Sequence, residues 1–375
     1  MFIKYSKSYI RVENGLSYLR LNEKDHYNTG YAYGYLIAKS KNESIRFMKQ
    51  LWVKLGISTI YAILKKQYND LRIPQEYKDE IRGYADATGI PYDNLFGLNF
   101  FYDIMKRYGY HCSTIAFFNK DNVIVGRNTD MTKKLTKFAL KHLRSIIVDV
   151  SIPGKRRFTH ITPPLFVGAM NGFNDKGIAV NSHQVVPTHE KPYHNRLATP
   201  LLMRMMLEQS QSIKDAENIV KKNITARVLN VVVTSEKERK SITCEIHPNK
   251  INFIHNNSHN CCTIHFRSKE MHKLHHNYPK ETVRMRLHAS EFRLEYMNKL
   301  ISSYKEMKYT DMIRVLQDTS NGTSVHHGAK SLTNDGTYES FVFDITHNIL
   351  WVSNGDKAPA SLTGEFVKFK VNVGK

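Results

Sequence analysis

His111-Cys-Ser-Thr-Ile-Ala-Phe-Phe-Asn-Lys-Asp-Asn-Val-Ile-Val-Gly-Arg-Asn-Thr-Asp130 is the stretch on which the fold turns. It reads as strand, turn and strand. The runs 113–118 and 123–125 are apolar and rich in β-branched or aromatic residues, and Asn119-Lys120-Asp121-Asn122 between them is turn chemistry. A ribbon of that length folds its far end back beside its start, which returns Arg127 and Asp130 to the neighbourhood of Cys112. A thiol between a guanidinium and a carboxylate at a sheet edge is a candidate nucleophile, because a nearby cation favours the thiolate.

Downstream, strand-like runs recur at 146–152, 178–182, 228–234, 241–246 and 251–255, then at 338–345 and 349–353. Helical spacing marks 201–208, 212–221, a long segment over 281–304 and a shorter one after Thr310. Upstream, residues 1–111 read as mainly helical, with apolar residues at helical spacing over 31–48, 51–71, 74–88 and 93–106. The third of these opens at Pro74-Gln-Glu and stops at Gly89, good start and stop signals. Periodicity alone predicts a mixed α and β fold.

The chain's 375 residues suffice for one large or two modest domains, and an apolar fraction of 41% with 11% aromatics is ordinary for a globular protein. The first ten residues lack the apolar stretch of a signal peptide, and no 18-residue apolar window suggests a membrane span. The apolar segment 51–64 carries Lys54 and reads as a buried helix. A cytoplasmic location is expected. Four cysteines, two of them adjacent at 261 and 262, form no disulfide framework. The net charge of +21 is spread along the chain around no nucleic-acid module. It fits general surface charge or an anionic small-molecule partner better than DNA or RNA. The histidines between 255 and 276 lack zinc spacing, so neither metal nor cofactor is expected.

The hairpin from Cys112 to Gly126-Arg127-Asn128-Thr129-Asp130 resembles the cysteine N-terminal-nucleophile hydrolases. Within them it is similar to the acyl-CoA:6-aminopenicillanic acid acyltransferase family, a peptidase family by its self-cleavage, and to the related choloylglycine hydrolases. Other segments carry the same likeness. Glu80-Ile81-Arg82-Gly83-Tyr84-Ala85 looks like the family's prosegment helix, with Asn99 in the helix after it. Asn171-Gly172-Phe173-Asn174-Asp175-Lys176-Gly177-Ile178-Ala179-Val180-Asn181 is similar to its turn and pocket strand. Residues 337–344 and 351–355 resemble its closing hairpin.

The resemblance implies an α+β, four-layer αββα sandwich (the Ntn-hydrolase fold) with a helical N-terminal prosegment. Residues 1–111 would be that prosegment, kept as an α chain, and 112–375 the catalytic domain. Cleavage between His111 and Cys112 would free an α-amine able to take the thiol proton, since such amines titrate near neutrality. Asp130 would orient the amine, and Arg127 would polarise the thiol or contact an acyl carboxylate. Asn257 would donate to the oxyanion, with Asn256 a one-residue slip away. Asn181 and His183 would line the substrate strand, and Arg286 (or Arg284) would match a helical arginine that reaches the site. Two departures stand out: His111 where several relatives carry Gly, and no Asn at the usual second donor position. The implied activity is an autoprocessing amidohydrolase or acyltransferase acting through a thioester on a linear N-acyl amide, with an acyl-CoA as one substrate option. The alternative is an uncut, inactive relative that serves as a binding protein.

Overall fold

The computed structural model describes residues 1–47, 71–104, 111–186, 195–275, 281–320 and 328–371. The helix expected over 51–71 lies almost wholly outside them.

The chain opens with three strands rather than the expected helix: β1 (Phe2–Tyr5), β2 (Ser8–Glu13) and β3 (Leu16–Asn22). Apolar and polar residues alternate here with period two. Asn14 and Gly15, at φ 45° and 79°, form the tight turn that pairs β2 with β3. Helix α1 (His26–Lys39) follows, its first turn closed by Asp25, whose carboxylate accepts from Asn28 N–H at 2.8 Å. After the short β4 (Leu71–Arg72) come α2 (Gln75–Thr88) and α3 (Tyr92–Ile104). As read from the sequence, α2 starts after Pro74 and stops at Gly89, which adopts φ 69°. The prosegment-like motif has a packing reason. A Cβ on Gly83 would stand 2.2 Å from Tyr27 O on α1, so only glycine admits that contact.

From Cys112 onward the order is β5 (Ser113–Phe118), β6 (Val123–Asp130), α4 (Lys133–His142), β7 (Ile146–Ser151), β8 (Phe158–Thr162), β9 (Asn171–Asn174) and β10 (Ile178–Gln184). Next are β11 (Arg196–Leu197), α5 (Thr199–Gln209), α6 (Ile213–Lys222), β12 (Leu229–Ser235), β13 (Lys240–His247), β14 (Lys250–Asn256) and β15 (His259–Cys262). The chain continues through α7 (Lys269–His272), α8 (Glu281–Ser302), α9 (Tyr309–Leu316), β16 (Thr337–Asp344), β17 (Ile349–Ser353), α10 (Ala360–Thr363) and β18 (Phe366–Lys370). The strands and helices expected after Cys112 are present, so the mixed α+β reading holds.

Ten strands form one sheet in the order β1-β2-β3-β7-β8-β9-β10-β12-β13-β14, antiparallel except where β3 runs parallel to β7. Six strands form a second, antiparallel sheet, β15-β5-β6-β16-β17-β18. Because β3 pairs with β7, residues before and after Cys112 share one sheet. Three cores sort by strand face. The first joins one face of the ten-stranded sheet, through Val180, Val231 and Ile242, to α1, α2, α3, α5 and α6. The second contains Phe173, Ala179 and Val232 from that sheet together with Ala116, Val125 and Phe341 from the other. The third joins the remaining face of the six-stranded sheet, through Ile115, Ile124 and Val342, to α8 and α9. Among the described residues, no helix is long and apolar enough to cross a membrane.

Candidate active site

Strand alternation decides which side chains meet. On β5, Ala116 and Phe118 face the other sheet while Ile115 and Phe117 face the helices, so Thr114 and Cys112 fall on the inter-sheet side. On β6 the same parity takes Arg127 inward with Val123 and Val125. On β10, Ala179 belongs to the inter-sheet core, and Asn181 and His183 continue its row. Cys112, 2% exposed, therefore lies between Arg127 on its own sheet and His183 on the opposite one.

Each residue of the Gly126–Asp130 motif has its own structural account. A Cβ on Gly126 would meet Met312 Sδ at 2.5 Å, so glycine lets α9 press onto the sheet. Arg127 donates from Nε to Thr129 Oγ1 at 3.1 Å and from Nη1 toward Thr114 Oγ1 at 3.5 Å. Asn128 points to the helical side, where Nδ2 donates to the Leu316 and Leu332 carbonyls, each at 2.8 Å. Asp130 is wholly buried; Asn334 Nδ2 donates to its Oδ2 at 3.1 Å, and the Thr337 hydroxyl also bonds its carboxyl.

The peptide ahead of Cys112 is held at both ends. His111 N–H donates to Asp130 O at 2.9 Å, and Arg293 Nη2 donates to His111 O. Arg293 is fully buried on α8, and its Nη1 donates to Ala329 O at 2.6 Å.

Residues 117–359 match the family model described as acyl-coenzyme A:6-aminopenicillanic acid acyl-transferase. The chain belongs to that acyltransferase family. An uncharacterized protein of Archaeoglobus fulgidus is 24% identical over 245 residues, which cover 58% of this chain and 41% of that protein. The chain thus spans about two fifths of that relative's length. Among solved structures, a Caenorhabditis elegans ortholog of N-acylethanolamine-hydrolyzing acid amidase aligns with a TM-score of 0.44 at 15% identity, covering 63% of this chain and 93% of that one. A variant of the conjugated bile acid hydrolase of Clostridium perfringens aligns with a TM-score of 0.43 at 11% identity, covering 70% and 93% of the two chains.

The electrostatics of this acyltransferase-family site follow from burial. Burial pushes the Cys112 thiol up, and Arg127 pulls it back while Asp130 opposes that pull. Burial also lifts the Asp130 carboxyl to about 6, against Arg293, Thr337, Asn334 and Arg127. His111 is lowered to about 3 by burial, with Arg293 and Arg286 acting in the same sense. His183 is lowered well below the usual histidine range by burial and by Arg127, so its imidazole is neutral. The His183 ring lies against the Cys112 backbone, yet neither of its nitrogens completes a hydrogen bond. Both polar atoms of the Asn181 side chain are likewise buried without a partner. The other three cysteines are buried and free, and burial, against the nearby Arg267, pushes Cys261 and Cys262 up to about 12, which leaves them inert.

His111, Cys112, Arg127, Asp130 and His183 come together as the sequence suggested. Asn181 shares their inter-sheet face, and Arg286 lies close enough to influence His111. Asn257 does not join them. It is exposed in the turn between β14 and β15, and β15 places His259 opposite Phe117, five residues along β5 from Cys112. At about 3.3 Å per residue that is roughly 17 Å away. The chain runs on past the Cys262–Thr114 pair into Thr263-Ile264-His265, where Ile264 packs with Val186 and Val283. Three residues were missed: Arg293, Asn334 and Thr337. Arg293 lies seven residues from Arg286 on the helix face that also buries Val283, Ser290 and Met297, and that spacing could have found it. Asn334 and Thr337 meet Asp130 only through the β6–β16 register, which has no local signal.

Proposed function

We propose that the chain is a self-activating cysteine amidohydrolase or acyltransferase of the Ntn-hydrolase kind, with Cys112 as nucleophile and the two sheets and their helices as a four-layer αββα sandwich. The observation that carries this reading is the Arg293 guanidinium on the His111 carbonyl, next to the Cys112 thiol. In the first reaction Sγ attacks that carbonyl carbon, and the electron pair moves onto the oxygen that Arg293 already contacts. The C–N bond then breaks, the Cys112 nitrogen leaves as an amine with the thiol's proton, and a thioester joins His111 to Sγ. Water hydrolyses the thioester and residue 112 becomes a chain terminus. The pinned peptide N–H and carbonyl keep the carbonyl beside the thiol, which is the positional part of the catalysis.

The freed α-amine, with an ordinary pKa of about 7.7–8.0, then serves as the base for the same thiol. Asp130, ionised above about pH 6, orients the amine. An N-acyl substrate presents its carbonyl where the His111 carbonyl stood, so Arg293 serves both reactions. The neutral His183 imidazole supplies a further donor in place of the expected Asn257, as a preorganised dipole rather than a charge. The acyl thioester on Cys112 passes to water or to an acceptor amine. The substrate class is a linear N-acyl amide, with an acyl-CoA thioester as a donor of the same acyl chemistry.

Intact mass and N-terminal sequencing of the purified chain, beside Cys112→Ala, test this. The expected result is a fragment beginning Cys-Ser-Thr-Ile-Ala in the wild type, an uncut variant, and N-acyl amide turnover only after the cut. One uncut 43.5 kDa chain in both, with no turnover, would sink it. That outcome would favour an uncut binding protein, which the full burial of the thiol supports.

A further inference from the structure

Away from Cys112, on the helical face of the ten-stranded sheet, a second group of polar side chains converges where α1, α2, α5 and the β7–β8 turn meet. His26 Nε2, a Glu76 carboxylate oxygen and a Glu208 carboxylate oxygen lie within 4.8 Å of one another. His26 is 6% exposed, and its Nε2 has no hydrogen-bond partner. Its Nδ1 lies 2.7 Å from Glu80 Oε2. A carboxylate can only accept there, so Nδ1 carries a proton, and Nε2 faces Glu76 Oε2 at 3.7 Å inside the group.

The groups behind the three donors are fixed in turn. Glu80 accepts from the Tyr84 hydroxyl at 2.8 Å and from Arg204 Nη2 at 3.1 Å. Glu208 accepts from the Tyr77 hydroxyl at 2.9 Å and from Arg204 Nε at 2.6 Å. An orienting carboxylate behind a histidine, and donors behind a ligating carboxylate, are what hold metal ligands in place.

We propose that His26, Glu76 and Glu208 bind a divalent transition-metal cation of the Zn2+ class. One imidazole nitrogen and two carboxylates suit zinc, cobalt or manganese better than calcium, which takes six to eight oxygens. Lys155 is the competitor. Its Nζ lies 2.9 Å from Glu76 Oε2 and 3.9 Å from Glu208 Oε2, yet it makes no bond to His26 Nε2. An ammonium therefore answers the two carboxylates and leaves His26 Nε2 without a hydrogen bond among the described residues, whereas a metal ion takes all three. The Lys155 side chain is 23% exposed and withdraws to water when the ion enters. His26 and Glu76 precede Cys112 and Glu208 follows it, so the ion braces the segments on both sides of that residue, cut or uncut.

The test is calorimetric titration of tag-free, chelator-treated full-length protein with ZnCl2, with Co2+ absorption as the coordination signature and thermal unfolding in parallel. One Zn2+ per chain, a raised Tm, and binding weakened at least about ten-fold in both His26→Gln and Glu76→Gln are expected. Glu76 is 36% exposed, so its variant keeps the fold and guards against a misfolded His26 variant. Lys155→Met binds more tightly than wild type. No saturable binding in wild type overturns the proposal, because the ammonium then owns the place, whether or not Lys155→Met binds. Binding that survives both His26→Gln and Glu76→Gln also overturns it, by putting the metal elsewhere.

Discussion

The two sheets that meet at Cys112 differ in how far they engage the polar side chains nearest to it. On the six-stranded side Asn128 and Asp130 are engaged by α9, by the 332–334 segment and by Thr337, although Asn128 Oδ1 and Asp130 Oδ1 complete no hydrogen bond among the described residues, and Arg127 is engaged by Thr129 and Thr114. On the ten-stranded side both polar atoms of Asn181 and both ring nitrogens of His183 are buried without a completed hydrogen bond among the described residues, with His183 against the Cys112 backbone. A buried polar group left unpaired costs about 1–3 kcal/mol, so such groups persist where a ligand completes them. The motif that stands out most in the sequence is therefore largely a scaffold around Cys112. The less conspicuous strand opposite is where a substrate's polar atoms would be received.

The sharpest way to break that division is at Arg293, a helical side chain that reaches the His111 carbonyl. Arg293→Met should slow the cut before Cys112, and N-acyl turnover after it, by about 10²–10³-fold, the usual loss for one oxyanion donor. Arg293→Lys should recover part of the rate. An unaltered cleavage time course in a folded Arg293→Met chain would falsify the role assigned to it.

Asp130 tests the same side through pH. Its carboxyl sits at about 6 when folded, against 3.8 for the free side chain. A raised acid favours the folded state most while protonated. That contribution is complete below about 3.8 and is lost as pH rises through about 6. Activity should run the other way, because the ionised carboxylate that orients the amine forms over the same window. The pH–rate profile should therefore climb through about pH 6. In Asp130→Asn the acid limb should vanish and the rate stay low throughout, while stability loses its slope across the window. An acid limb retained in Asp130→Asn would assign it to another group.

Asn128 should behave as scaffold only. Asn128→Ala strands the Leu316 and Leu332 carbonyls, and should lower stability by about 1–3 kcal/mol in denaturant unfolding. Turnover per folded molecule should be nearly unchanged. A catalytic loss larger than the stability loss would move Asn128 to the working side.

The sequence made one side of the site far more legible than the other, and the reason is physical. Cys112, Arg127 and Asp130 lie on one hairpin, so local turn chemistry and strand parity suffice to bring them together. The fold after Cys112 was legible for the same reason, since β5, β6, β10, β12 and β13 are near-continuous apolar runs bounded by turns. The first 22 residues were misread as part of a helical segment, although Asn14-Gly15 and the period-two alternation of β2 and β3 carried the opposite signal. Asn257 was misplaced because its setting depends on how β15 registers against β5. Nothing local fixes that pairing. Arg293 depends in the same way on the packing of α8.

His183 is the smallest of these effects and bears most directly on the comparison. Its imidazole is buried beside Arg127 and Arg293, both of which disfavour a second positive charge there. It is thus a poor proton acceptor for a thiol that burial has itself pushed up, and a good neutral hydrogen-bond donor. His183→Ala should lower turnover by about ten- to a hundred-fold, and His183→Gln, which keeps a neutral donor on the same strand, should restore most of it. The pH profile separates the two roles. A histidine base would add a limb near its titration point that disappears in His183→Gln, whereas a neutral donor leaves the wild-type and Gln profiles the same in shape. Profiles that differ would give the ten-stranded side a share in proton transfer and end the division of labour between the sheets.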